Sequence, residues 1–112
     1  MTSLSTHVLD TAEGRPAAGV RVALLRARAD TRWQQLAVAA TDADGRIREF
    51  ALPEPLAAGD HRLVFDTGAY LEARGAAVFF PRVTIDFVLR EGEHHHVPLL
   101  LSPFGYSTYR GS

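Results

Sequence analysis

Imidazole is the side chain whose ordinary pKa lies nearest neutrality, so histidines are where proton transfer at pH 7 is first sought. This sequence has five: His7, His61 and the consecutive His94, His95 and His96. In an extended strand successive side chains point to opposite faces. His94 and His96 therefore share one face, while His95 shares the other with Val97, Leu99 and Leu101. If the leucine-rich face is core, His96 points outward. Pro98 lacks the backbone donor that a sheet ladder needs, so a local break in the sheet is expected there. Any one of these histidines alone is more often a packed or surface residue than a functional one, and His61 stays in that class.

The elements that would carry these side chains read as short strands. From Arg82 to Arg90, Val83, Ile85, Phe87 and Leu89 alternate with Arg82, Thr84, Asp86 and Arg90, giving one apolar and one mainly polar face. Val20, Val22 and Leu24 repeat the pattern, Leu36 and Val38 continue it, and Leu63 and Phe65 supply it again; all are expected to line the core between two sheets. Asp44-Gly45 predicts a tight hairpin, with Arg46 directly after it, because glycine takes a positive φ without steric cost. Pro53-Glu54-Pro55 reads as a loop. The one expected helix is Ala69 to Arg74, ended by Gly75. The fold class is all-β.

The composition narrows the function classes. At 112 residues, with 46% hydrophobic and 22% charged side chains, the chain is expected to fold as a single domain over 1–112. Twelve basic residues, all arginine, stand against 13 acidic ones, so the net charge of -1 gives no long-range pull toward nucleic acid or an anionic membrane. With no cysteine, disulfides, thiolate nucleophiles and Cys-ligated zinc are excluded. The opening residues lack the pattern of an export signal and no apolar run reaches membrane-spanning length, so the cytoplasm is the expected compartment.

Four strings make the sequence specific: Leu4-Ser5-Thr6-His7-Val8-Leu9-Asp10, Thr41-Asp42-Ala43-Asp44-Gly45-Arg46, the run from His94 to Pro103, and Tyr106-Ser107-Thr108-Tyr109-Arg110-Gly111-Ser112. Together they resemble the 5-hydroxyisourate hydrolases, the transthyretin-related proteins, from about Leu4 to Ser112. The resemblance implies a transthyretin-like β-sandwich of two four-stranded sheets with one short helix. It also implies a homotetramer, assembled as a dimer of dimers, with active sites at the dimer-dimer interface. The implied reaction opens the ring of 5-hydroxyisourate by hydrolysis of a cyclic amide-type C–N bond, without cofactor or metal.

Carried over by motif, the implied catalytic residues are His7, Arg46, His96 and Ser112, and the implied substrate contacts are His7, Arg46, Tyr109 and Arg110. His96 is the candidate general base and His7 the group that holds the water or tunes that base; the two roles can be exchanged. Arg46 offers a fork of donors for the carbonyls of a urate-like ring and for oxyanion charge. Ser112 ranks above Arg110 for direct participation, since Arg110 could equally clamp the tail. His94 at most supports its neighbour. One departure is His95, where relatives more often carry Tyr or Phe; facing away from His96, it is expected to leave the chemistry intact.

Two rivals differ in class. His94 and His96 on one face could begin a zinc site, but no string supplies a third ligand. Transthyretin itself uses the same fold as a non-catalytic carrier of small hydrophobic molecules; it lacks the His, Arg and His set and the terminal Tyr-Arg-Gly-Ser.

Overall fold

The computed structural model describes residues 1–112. Nine strands and one helix follow in the order β1 (Ser3–Asp10), β2 (Arg15–Pro16), β3 (Arg21–Ala27), β4 (Trp33–Ala40), β5 (Arg46–Ile47), β6 (Gly59–Phe65), α1 (Thr67–Ala73), β7 (Val83–Leu89), β8 (His94–Ser102) and β9 (Gly105–Thr108). One sheet runs β2-β1-β8-β9, with β5 also paired to β1; the other runs β4-β3-β6-β7. The sandwich is thus as expected, and the first sheet has a fifth strand only because two residues after Gly45 dock on β1.

The core lies between the sheets, where the alternating residues meet. Val20, Val22, Leu24, Leu63, Phe65 and Val83 are fully buried, with Leu99 and Leu101 against them from β8. On β4 the expectation is half met: Leu36 packs on the core, but Val38 is exposed. The β3–β4 register shifts between Leu24 and Leu25, which leaves Leu36 as an extra residue and hands the inward positions beyond it to Ala37 and Ala39. One inserted residue reverses which side chains face inward, because the side-chain period of a strand is two.

The helix begins two residues earlier than the apolar pattern predicts. The Asp66 side chain accepts from the Ala69 N–H and caps it. Its end is as read: Gly75 takes φ +70, and the N–H groups of Gly75 and Ala76 return to the carbonyls of Glu72 and Leu71. No helix is long and apolar enough to cross a membrane.

The turn at Asp44-Gly45 forms, but it does not close a hairpin within one sheet. β4 belongs to one sheet and β5 to the other, so the turn carries the chain across the sandwich. Asp42 organises it, accepting from the N–H groups of Asp44 and Arg46 at 2.9 and 3.0 Å. Gly45 sits at φ +73, and a Cβ there would come within 2.5 Å of the Val8 carbonyl oxygen. Glycine is required on both counts.

Candidate functional site

Strand β1 is the frame of the site. Its odd-numbered residues face away from the core, so Ser3, Ser5 and His7 form a row on the outer face. Strand β5 runs antiparallel to β1 with Arg46 directly opposite His7. Strand β8 runs parallel on its other side, with Ser3 opposite His94, Ser5 opposite His96 and His7 opposite Pro98. Neighbouring strands thus bring His7, Arg46 and His96 onto one surface from three separate stretches of chain.

A cavity of about 520 Å³ opens on that face, lined by Ser5, Thr6, Arg46, Arg48, His94, His96, Ser112 and a single hydrophobic residue, Ile47. Arg46, His96 and Ser112 therefore share one polar hollow; His7 is not among its lining residues but lies opposite Arg46 across the ladder, close enough for the Arg46 cation to act on it. Both imidazoles are held below the ordinary value of 6.5. For His96 the first cause is burial, followed by the Arg46 cation and repulsion from His7 and His94, against a hydrogen bond from the ring to the Ser5 backbone. For His7 burial leads again, then Arg46, opposed by the Asp44 backbone and the carboxylates of Asp42 and Asp44. Both shifts favour the neutral ring, the form that can take a proton.

Several supporting residues escaped the reading of the sequence. Ser5 Oγ lies 2.8 Å from His96 Nδ1. The Gly111 N–H donates to the His96 carbonyl at 2.7 Å, and this single bridge brings the tail back to β8 past the gap at Pro98. The β8–β9 ladder itself stops at Leu99 and Thr108, while the Thr108 hydroxyl donates to the Pro98 carbonyl at 2.7 Å. Asp42 accepts from Arg48 at 2.9 Å, and the two N–H bonds from its own turn hold its carboxyl below the usual range. The only sequence signal for Asp42 was the Asp-x-Asp-Gly turn chemistry; Ser5 has none until the register of β1 on β8 is known.

Tyr109 and Arg110 lie elsewhere in the single chain. They border a separate hollow of about 360 Å³ with Ile85, Phe87, His95 and Val97. Arg110 pairs with Glu93 at 3.0 Å and reaches the His94 carbonyl at 3.4 Å, so it ties the tail to the start of β8. The Tyr109 ring is exposed.

His95 is turned into the core and is 3% exposed. Its Nε2 accepts from the Arg90 N–H at 3.0 Å, which leaves the proton on Nδ1 to be donated to the Ser3 carbonyl at 3.1 Å. His61 is equally buried; its Nδ1 is 2.9 Å from the Gly59 carbonyl and its ring packs beside Phe87. No group of three or more His, Asp or Glu side chains is placed to hold a metal ion.

The comparisons with known proteins agree with this frame. The HIUase/Transthyretin family pattern matches residues 4–111. A 5-hydroxyisourate hydrolase of Caulobacter vibrioides is 50% identical over 117 residues, covering 100% of both chains. The mouse (Mus musculus) 5-hydroxyisourate hydrolase is 44% identical over 111 residues, covering 97% of this chain and 94% of that protein. Among solved structures, Klebsiella pneumoniae 5-hydroxyisourate hydrolase superposes with a TM-score of 0.85 at 45% identity, over 98% of this chain and 99% of that one. Sea bream transthyretin, solved in complex with thyroxine, superposes with a TM-score of 0.91 at 35% identity, over 97% of this chain and 94% of that one. With nearly full-length identity to named hydrolases and their sandwich, the chain belongs to the HIUase/transthyretin family, among its 5-hydroxyisourate hydrolases.

Proposed function

We propose that the cavity on the outer face of β1, β5 and β8 hydrolyses 5-hydroxyisourate to 2-oxo-4-hydroxy-4-carboxy-5-ureidoimidazoline. The observation that carries this reading is the sharing of one polar hollow by His96 and Arg46, with His7 directly across the ladder from Arg46. Neutral His96 removes a proton from water as the oxygen attacks the ring carbonyl, and His7 holds that water; the two imidazoles can exchange these roles. Arg46 donates to the oxygen on which negative charge collects, where a fixed guanidinium needs no reorganisation during the reaction. The base then returns that proton to the departing ring nitrogen. Ser112 reaches the cavity at the chain end and supplies a hydroxyl to the reacting groups. No cofactor enters this scheme.

The cavity is open to solvent in one subunit, and a site for charge-developing chemistry works best when water is excluded. We assign the closure to assembly into a homotetramer, a dimer of dimers, with a second subunit covering the cavity. The exposed Tyr109 ring and Arg110, separate from the hollow within one chain, serve in that assembly as substrate contacts. The carrier alternative has less support, because a site for hydrophobic molecules is mostly apolar and this cavity has one hydrophobic lining residue, Ile47.

The test is to generate 5-hydroxyisourate freshly from urate with urate oxidase and follow its ultraviolet decay with and without the protein. Accelerated decay is expected. Binding without acceleration would favour the carrier and overturn the hydrolase.

A further inference from the structure

The parallel register of β1 on β8 lays four polar side chains in a row on the outer face. Ser3 Oγ is 2.6 Å from His94 Nδ1, Ser5 Oγ is 3.1 Å from His94 Nε2, and the same Ser5 Oγ is 2.8 Å from His96 Nδ1. A neutral imidazole has one N–H and one lone pair, and a hydroxyl has one proton to give. The row can therefore be ordered in three senses, because a hydroxyl oxygen can also accept from two rings at once. In one, His96 donates from Nδ1 to Ser5, Ser5 donates to His94 Nε2, and His94 donates from Nδ1 to Ser3. In a second every bond reverses, and His96 carries its proton on Nε2; in a third Ser5 accepts from both rings, and His96 again donates from Nδ1.

The cavity decides which His96 nitrogen carries the proton. His96 Nε2 has no partner within the chain, and no buried side-chain polar atom is left without one, so this nitrogen is open to solvent. The charged side chains lining the cavity beside His96 are Arg46 and Arg48, which donate hydrogen bonds and accept none. A lone pair on Nε2 is attracted to the Arg46 cation, whereas an N–H is repelled; Arg48 adds little, being paired with Asp42 at 2.9 Å.

We propose that Ser5 and His94, anchored by Ser3, are positioning residues that hold His96 as its Nδ1–H tautomer and keep the Nε2 lone pair on the cavity. The proposal rests on the hydrolase reading only in that the lone pair is then used as the base. In the first order, as Nε2 takes a proton from water, the Nδ1 proton moves to Ser5 Oγ and the Ser5 hydroxyl proton moves to His94 Nε2. His96 is left neutral, and the positive charge sits on His94 at the exposed end of the row. When Nε2 gives its proton to the departing ring nitrogen, the two transfers reverse. The starting tautomers are restored and no proton is gained or lost.

The experiment is nitrogen-15 NMR of the histidine rings at neutral pH in wild type, Ser5→Ala and Ser5→Thr, with kinetics on the same samples. Expected are a protonated Nδ1 on His96 in wild type, a shift of the proton to Nε2 in Ser5→Ala, and recovery in Ser5→Thr. In parallel, Ser5→Ala lowers kcat by about tenfold or more, with KM within about twofold, and Ser5→Thr restores it. A wild-type His96 protonated on Nε2 overturns the proposal, as does a Ser5→Ala protein with unchanged tautomer and kcat. If Ser5→Ala does not fold, the wild-type tautomer alone decides. A wild type with the Nδ1–H tautomer but no hydrolysis removes the hydrolase reading and leaves the positioning role standing.

Discussion

Gly111 touches His96 twice: its N–H donates to the His96 carbonyl at 2.7 Å, and a Cβ on it would lie 2.6 Å from the ring carbon Cδ2. Since Gly111 is not among the glycines with positive φ, what excludes a side chain here is contact with the ring and not backbone strain. The Gly111→Ala protein should fold normally, because the site is peripheral to the core, yet it must push the His96 ring aside. We expect kcat to fall by about tenfold or more, since misplacing a base costs rate directly, with stability within about 0.5 kcal/mol of wild type. Steady-state kinetics beside a urea titration check both halves.

His96→Ala removes the base, and turnover should drop about a hundredfold or more. His61→Ala is the contrasting variant. That ring is buried beside Phe87 and bonded to Gly59, remote from the cavity, so its loss should leave kcat per folded molecule unchanged while costing about 1–3 kcal/mol of stability. Equal kinetic losses in the two proteins would remove the special role of His96.

Because burial and the Arg46 cation both press the His96 pKa below 6.5, kcat/KM should be flat at neutral pH and fall only in more acid solution. Arg46→Ala should move that midpoint upward, toward 6.5, while lowering both kcat and substrate affinity. Stability has the same sign. His7, His61 and His96 all have folded pKa values depressed from 6.5, so below that pH the unfolded chain binds more protons. Stability present above pH 6.5 is therefore lost as pH falls through the lower, folded values. Urea midpoints at pH 7.5 and about pH 5 measure it.

Tyr70 docks the helix onto β1 by donating its hydroxyl to Asp10 Oδ2 at 2.8 Å, while Asp10 Oδ1 accepts the Glu13 N–H at 3.0 Å. Burial first, then the bond to Asp10, pushes the Tyr70 pKa up to about 12. Tyr70→Phe leaves the buried carboxylate with an unmatched oxygen and should cost about 1–3 kcal/mol in urea unfolding. Activity of the folded fraction should be unaffected.

Period-two runs such as Val83 to Leu89 were legible because a half-buried strand writes its two faces into alternate residues. The β4 run was legible only in part, since a bulge is a property of the pairing, and nothing in Leu36-Ala37-Val38 says where the partner strand slips. The helix start was missed for a local reason: its first turn, Thr67-Gly68, is not apolar, and the cap is a single aspartate. Among the candidate site residues, the motif strings brought out His7, Arg46, His96 and Ser112. They were silent on Ser5 and Asp42, whose importance is relational, and on the fact that Tyr109 and Arg110 lie in a different hollow of the same chain.

By itself the sequence determined the chemical inventory, the strand periodicity and the glycine at the turn, because each follows from one residue or a few neighbours. It excluded thiol chemistry and set which face of β8 carries His94 and His96. Tertiary structure alone decided that Asp44-Gly45 crosses between sheets instead of closing a hairpin, and that β8 runs parallel to β1 with Ser5 against His96. Those outcomes depend on register and on which sheet a strand joins, which are settled by the burial of the whole core and cannot be read from any local run of residues.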